Sequence, residues 1–343
     1  MTEQSTTNHA WLLASRPQGE PTEDNFRYVA QPTPEIKEGE ILLRTIYLSL
    51  DPYMRGRMDE GKSYAPPAEL DQPMVGGTVC QVVASKNGEF KEGDWVLSQS
   101  GWQEYAVSRG NDVARLDNDL PHPSWALGIL GMPGFTAYMG LMDIGQPKEG
   151  ETLVVAAATG PVGATVGQLG KMKGCRVVGV AGGEEKCRHA VENLGFDACI
   201  DHHSQDFEEQ LKNACPDGID IYFENVGGKV FDAVFPLLNT AARVPVCGLV
   251  SAYSQKELPA GPDRTSLIMA GILKRRIRMQ GFIIFQDYGD RYPEFLKAMT
   301  PLVESKKIQY REHVIEGLEN APKAFIDMLN GKNFGKTVVK VAL

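Results

Sequence analysis

The sequence predicts an α/β protein: a doubly wound parallel sheet covered by helices on both faces, plus a β-rich unit. Three observations predict it. From residue 150 onward, short apolar runs alternate with helical patterns, as in chains of βα units. The apolar run at 153–158 stops at Gly160 and Gly163 and passes at once into a helical pattern. The first 120 residues, by contrast, are broken at short intervals by turn signals, the rhythm of an all-β unit.

In the first part, the turn signals are Arg16-Pro17, Gln31-Pro32-Thr33-Pro34, Glu38-Gly39, Pro66-Pro67, Asn87-Gly88 and Glu92-Gly93-Asp94. Between them, 41–50, 75–84, 95–98 and 103–107 read as strands, and Asp51-Pro52 ends the first of these. Near residue 124 the texture changes. Segments 126–130 and 135–143 read as helices broken by Met132-Pro133-Gly134. Strands are then expected at 152–158, 176–181, 198–200, 219–224, 243–250 and 278–285. Helices are expected at 164–173, 184–194, 207–215, 229–238, 267–273 and 292–305. Six strands suit a dinucleotide-binding fold with two mononucleotide halves. The closing segment (strand 312–315, helix 321–329, strand 336–341) fits as a return to the first unit. The expected domains are therefore 1–125 completed by 310–343, and 126–309.

Bulk properties exclude several function classes. The 343 residues are 42% hydrophobic and 23% charged, ordinary for a globular protein. A net charge of −9 argues against nucleic-acid binding, which needs a basic face. The polar N-terminus lacks the pattern of a signal peptide, and no window approaches the ~18 apolar residues of a membrane span. The expected location is the cytoplasm. Six cysteines are scattered without ligand or C-x-x-C spacing, as expected of reduced thiols.

The glycine segment carries the first functional signal. It reads Ala157-x-x-Gly160-Pro161-Val162-Gly163, a variant of the dinucleotide fingerprint with alanine at its first small position. Glycines there let backbone approach a pyrophosphate, and the helix that follows points N–H groups and its positive dipole end at the same spot. The second strand then chooses between nicotinamide cofactors. A site for NAD usually ends that strand on an acid that accepts from the ribose 2′-OH. Here it ends in Ala181-Gly182-Gly183, and Lys186 follows on the first helical turn, placed to pair with a 2′-phosphate. NADPH is the expected cofactor.

A β-rich unit beside such a domain is the arrangement of the medium-chain dehydrogenases/reductases. Zinc-dependent members need an early catalytic cysteine, a Gly-His-Glu segment and a four-cysteine lobe. The corresponding stretch here is Pro73-Met-Val-Gly76-Gly77-Thr78, residues 93–109 hold no cysteine, and none of the six histidines has ligand spacing. No metal site is expected, and the adjacent His202-His203 read as a polar strand end. Hydride addition to an activated C=C bond remains feasible, since its carbonyl needs only a hydrogen-bond donor.

The whole chain resembles the zinc-independent leukotriene/prostaglandin reductase branch of that superfamily. The match lies in Ser49-Leu-Asp-Pro-Tyr53-Met-Arg-Gly-Arg57, Met132-Pro-Gly-Phe-Thr-Ala-Tyr138 and the 157–163 loop. It continues in Tyr222-Phe-Glu-Asn225-Val-Gly-Gly228, Cys247-Gly-Leu-Val-Ser-Ala-Tyr253 and Asn333-Phe-Gly-Lys336. Within the branch it is most similar to the bacterial NADPH-dependent curcumin reductases. The resemblance implies a Rossmann NADPH-binding domain, a GroES-like β-rich domain and a homodimer. It also implies reduction of the C=C bond of α,β-unsaturated ketones or aldehydes by hydride transfer to the β-carbon and protonation of the enolate.

The same resemblance assigns residues. Gly160, Pro161, Val162, Gly163 and Gly182 would line the cofactor. Lys186 would hold the 2′-phosphate with His202, which falls where several relatives carry tyrosine. Asn225, Cys247, Gly248, Tyr253, Phe282, Ile283 and Ile284 would lie toward the nicotinamide, and Asn333 would reach it from the C-terminal lobe. Tyr253 or Tyr53 would donate to the substrate carbonyl, with water as the other proton source, and loops 64–67 and 253–264 would shape the substrate pocket. Two further readings stay open at this point: an NADPH-dependent quinone reductase, and an NADPH-binding sensor without turnover.

Overall fold

The alternating half of the chain forms one parallel sheet of six strands: Thr152–Ala156, Arg176–Ala181, Ala198–Asp201, Ile219–Phe223, Leu238–Val246 and Arg278–Gly281. Counted in chain order, they lie side by side as 3-2-1-4-5-6. This is the expected doubly wound dinucleotide-binding order, whose direction reverses between the first and fourth strands. The first strand is buried at every position, as a strand covered on both faces must be. Its core joins Val154, Val178, Tyr222 and Val244 from the sheet to Phe207, Leu211 and Val234 from the helices. Helix Pro161–Met172 lies unusually close to its surroundings because three glycines face inward. A Cβ on Gly163 would stand 2.2 Å from the Ala157 carbonyl oxygen, one on Gly167 1.9 Å from the Phe196 ring, and one on Gly170 2.4 Å from Leu153.

The computed structural model describes residues 7–117, 120–257 and 261–342, so the first six residues and part of the 253–264 loop lie outside it. The chain divides into two units, one running to Leu127 and resumed from Glu312, the other Gly128–Arg311. In the first unit a seven-stranded sheet runs in the order Glu312–Glu316, Lys336–Lys340, Ile41–Ser49, Thr78–Ser85, Trp95–Ser98 and Ala114–Arg115, with Tyr105–Ser108 also paired to Ile41–Ser49. The C-terminal strand Lys336–Lys340 pairs antiparallel with Ile41–Ser49, placing Val338 opposite Ser49. Beside the sheet, Phe26, Trp102 and Phe325 form an aromatic cluster, with the Trp102 and Phe325 rings 5.6 Å apart and nearly perpendicular.

Several local expectations are corrected. Met132-Pro133-Gly134 does not break a helix but begins one, Met132–Met139, because proline in the first turn has no intrahelical N–H to lose. Segment 126–130 is not an α-helix; a short 3₁₀ helix, Pro123–Leu127, runs into its first two residues and a turn completes it. Strand 278–285 stops at Gly281, since the Ile283 N–H donates to the Asp287 carboxylate (2.7 Å) and starts helix Ile284–Tyr288. The fifth strand starts at Leu238 and ends at Val246, because the Cys247 and Gly248 N–H groups both turn to the Glu224 carbonyl. The hairpin of Thr7–Leu13 with Phe26–Pro32 was not anticipated.

Candidate functional site

The residues expected to carry the chemistry fall into two groups, one in each unit. In the second unit, the end of the first strand turns sharply at Ala157, whose φ of +52° lies in the left-handed region. For a residue with a Cβ this conformation costs roughly 1–2 kcal/mol. The turn is held by Ala158 N–H donating to Val180 O (3.0 Å) and Gly160 N–H to Ala157 O (2.9 Å). Gly160 is the N-cap and Pro161 the first residue of helix Pro161–Met172. Gly163 leaves no room for a side chain, so helix and strand meet backbone to backbone. The Pro161-Val162-Gly163 turn thus offers helix N–H groups at the carboxyl end of the sheet, where a pyrophosphate fits.

The second strand ends in the Gly182-Gly183 turn, which carries no carboxylate of its own. A Cβ on Gly182 would lie 3.1 Å from His202 Nε2, so the imidazole stands directly against the turn. Asp201 is close by, but its Oδ1 already accepts N–H groups from Gly183 and His203, each at 2.9 Å. Burial raises the Asp201 carboxyl, and those N–H groups with the neighbouring histidines more than reverse this, leaving it below its ordinary value. Lys186 on the first turn of helix Glu184–Glu192 is half-buried; burial lowers its pKa and Glu185 partly restores it. Burial and then His203 also lower His202, and Lys229 donates to the His202 carbonyl (3.0 Å). A half-buried lysine, two histidines and a second lysine around a side-chain-free turn fit a ribose phosphate. Lysine supplies charge there and imidazole a donor.

The fourth strand supplies a residue that sequence reasoning did not single out. Glu224 is 1% exposed. Its Oε1 accepts the Tyr222 hydroxyl (2.9 Å) and the N–H groups of Val226 (2.7 Å) and Gly227 (2.8 Å), while its Oε2 has no partner. The signal was an acid directly after the Ile221-Tyr222-Phe223 run. Burial raises its pKa, against the opposing pull of those donors. An acid with a raised native pKa binds more protons folded than unfolded, so its stability contribution falls as pH rises from 4.5 through the raised value. Glu224→Gln keeps an acceptor for all three donors and does not ionise. The urea midpoint of the variant, followed by circular dichroism, is expected to gain on wild type between pH 5 and pH 8. Parallel pH profiles would contradict this.

The other residues expected toward the nicotinamide are placed as follows. Asn225 donates to the Ala156 carbonyl (2.8 Å), so its amide ties this turn to the phosphate loop. The Cys247 thiol is pushed up to about 12 by burial and then by Glu224. Tyr253 folds its phenol back over Gly248, accepting the Leu249 N–H (3.3 Å). Phe282 and Ile284 are each 7% exposed; Phe282 packs edge-on to Tyr288, and a Cβ on Gly140 would stand 2.7 Å from its ring. Ile283 between them is half-buried.

In the first unit the Asp51-Pro52 turn leads into the short helix Tyr53–Arg57. Lys336, 1% exposed, donates to Asp51 Oδ1 (2.7 Å) and to the Leu50 carbonyl (2.8 Å), and the Ser49 hydroxyl donates to Asp51 Oδ2. This buried pair locks the Ser49–Tyr53 and Asn333–Lys336 motifs together. Asn333 donates to Gly335 O (2.9 Å). Burial, then the Asp51 charge, raise the Tyr53 phenol well above its ordinary value, so it stays protonated and able to donate. Among the described residues, no three His, Cys, Asp or Glu side chains gather as a metal site, and no helix is long and apolar enough to cross a membrane.

Two family models match the chain: an N-terminal domain of oxidoreductases over residues 9–116 and a zinc-binding dehydrogenase domain over 161–301. The chain is 65% identical to the NADPH-dependent curcumin reductase of Escherichia coli K12, covering 100% of this chain and 99% of that one. It is 42% identical to prostaglandin reductase 1 of Oryctolagus cuniculus over 95% of this chain and 91% of the relative. The crystal structure of CurA from Vibrio vulnificus in complex with NADPH superimposes with a TM-score of 0.95 at 62% identity, covering 98% and 99% of the two chains. The chain therefore belongs to the medium-chain dehydrogenase/reductase superfamily, in the branch of the curcumin and prostaglandin reductases.

Proposed function

We propose that the protein is an NADPH-dependent reductase of the C=C bond of α,β-unsaturated ketones and aldehydes. The observation that carries this reading is end-to-end identity of 65% with a curcumin reductase. The Gly182 turn, with Lys186 and the His202 imidazole beside it and no carboxylate of its own, supports the choice of NADPH. When bound, the nicotinamide supplies the hydride that adds to the β-carbon. The protein's own residues then have three tasks. The Gly160–Gly163 turn holds the pyrophosphate, and Lys186 with His202 holds the ribose phosphate. Glu224 and Asn225 brace the turn toward the nicotinamide. A tyrosine hydroxyl stabilises the carbonyl oxygen as negative charge grows on it. Tyr53 remains protonated in its buried setting, and the Tyr253 phenol oxygen accepts the Leu249 N–H.

The test is NADPH oxidation over a panel of enones, enals and quinones, with NADH in parallel and products identified. Saturated ketones or aldehydes are expected. Hydroquinones as the sole products would replace the reading with quinone reduction, and no turnover despite tight binding would replace it with a sensor. Tyr53→Phe and Tyr253→Phe separate the two hydroxyls. The one that holds the carbonyl is expected to cost about 10²–10³-fold in kcat. Wild-type kcat/KM in both would remove tyrosine from the mechanism.

A homodimer is part of the same reading. The sheet ends on Arg278–Gly281, exposed at three of its four residues, and helix Thr265–Arg275 presents Leu267 (73% exposed) and Leu273 (78%) to solvent. An open edge strand beside exposed leucines suits pairing with a second copy. Light scattering on the purified protein is expected to give twice the 37.6 kDa chain mass; a monomer would contradict it. A cytoplasmic location, where NADPH is supplied and thiols stay reduced, completes the reading; the six free cysteines suit it.

A further inference from the structure

Four side chains able to carry positive charge crowd the carboxyl end of the second strand: His202, His203, Lys186 and Lys229. The two imidazoles meet at one glycine. A Cβ on Gly182 would stand 3.1 Å from His202 Nε2 and 3.1 Å from His203 Cε1, and the rings lie 4.1 Å apart, tilted by 57°. The backbone holds them there. His202 N–H donates to the Ala181 carbonyl (3.0 Å), Lys229 to the His202 carbonyl (3.0 Å), and His203 N–H to Asp201 Oδ1 (2.9 Å). His202 is half-buried and His203 exposed. Facing His202 are His203 and Asp201 from its own strand end, Lys186 from helix Glu184–Glu192 and Lys229 from helix Gly228–Val234. Glu185 faces Lys186, and Lys229 Nζ also lies 5.4 Å over the Phe207 ring. Asp201 Oδ1, which also accepts the Gly183 N–H, stands 3.4 Å from His203 Nδ1. Two lysines and a second imidazole, against one carboxylate committed to two N–H groups, disfavour a charge on His202 until an anion arrives.

We propose that NADPH binding draws one proton from solvent onto His202, so that affinity for NADPH falls as pH rises while affinity for NADH does not. In the free protein, burial first and then His203, Lys229 and Lys186 hold the imidazole below its ordinary value of 6.5, against the pull of Asp201. It is therefore neutral at pH 7. A ribose phosphate, a dianion above about pH 6, reverses that balance. Beside the ring it favours the imidazolium, which offers it charge as well as an N–H. Between the depressed value and the raised one, the complex holds more protons than its separated partners. Affinity then falls as pH rises through that window. NADH carries a hydroxyl in place of the phosphate and leaves the ring neutral. A tyrosine at position 202 would donate a hydrogen bond without gaining charge, so the coupling belongs to the imidazole of this chain. It rests on the placement of the ribose phosphate at Lys186 and His202 given above.

The experiment is isothermal titration calorimetry of the full-length protein with NADPH and with NADH at pH 7, in buffers of small and large ionisation heat, with Kd values followed from pH 6.5 to pH 8.5. Expected is net uptake of roughly half a proton or more per NADPH and none per NADH. The Kd for NADPH should rise about 3- to 10-fold across the range, one pKa unit being worth tenfold, while the Kd for NADH stays level. His202→Gln and His202→Tyr keep a donor that does not take up charge. Both should lose the uptake and flatten the NADPH profile near the wild-type Kd of pH 8.5, whereas His203→Gln should keep the uptake. No uptake with NADPH, at an affinity well above that for NADH, overturns the proton coupling and leaves the phosphate placement standing. Uptake that survives in both His202 variants overturns the assignment to His202. Equal affinities for the two cofactors at every pH overturn the phosphate placement, and the proton coupling with it.

Discussion

Lys336→Ala is expected to remove about 3–5 kcal/mol of stability from the first unit, the cost of breaking a buried ion pair by deleting one partner. The variant leaves the Asp51 carboxylate, in a residue 5% exposed, with the Ser49 hydroxyl as its remaining side-chain donor, and takes the ammonium donor from the Leu50 carbonyl. All four tryptophans (Trp11, Trp95, Trp102 and Trp125) lie in this unit, so intrinsic fluorescence follows its unfolding without the second unit intruding. The double variant Asp51→Asn/Lys336→Met removes both charges and is expected to recover more than half of the loss, because the penalty belongs to the uncompensated carboxylate. Tyr53 follows Asp51 by two residues, so the single variant should also lower kcat/KM. A loss below about 1 kcal/mol for Lys336→Ala would show that the pair holds nothing in place.

Lys186→Ala is expected to raise the KM and Kd for NADPH by about 10- to 100-fold, the range for losing a hydrogen bond between charged groups, while values for NADH hardly move. Half-burial is what makes the residue worth this much: a fully exposed lysine would be screened to a fraction of it. The kcat with saturating NADPH should stay near wild type, because the ribose phosphate is held equally in ground and transition states. Lys186→Glu should go further and bring the preference close to parity. Equal losses with both cofactors would mean that Lys186 supports the turn structurally and does not recognise phosphate.

The parts of this arrangement that could be read from sequence are those written in consecutive residues. The first strand of the parallel sheet is an unbroken buried run, and the glycine turn and helix follow it directly, so both sheet and glycine turn were visible. Lys186 could be singled out because it sits five residues past the strand tip, on the first turn of the next helix. The hairpin Thr7–Leu13 with Phe26–Pro32 was not, since its second strand buries only Phe26 fully and carries no two-residue apolar alternation. The Asp51–Lys336 pair joins residues 285 apart, a partnership that only tertiary packing creates. The left-handed turn at Ala157 escaped for another reason: alanine there pays a conformational cost that no local preference announces. Glu224 stood in plain view, but its three hydrogen bonds depend on a turn that folds back over the strand end.

The central claim is that hydride passes from NADPH to the β-carbon of a conjugated carbonyl compound. The most direct measurement uses NADPH deuterated on the transferring position of C4, an enone substrate in ordinary water, and mass spectrometry with NMR of the product. The account predicts a saturated ketone carrying one deuterium at the β-carbon and a protium at the α-carbon. Deuterium on the carbonyl carbon, in an allylic alcohol, would contradict it.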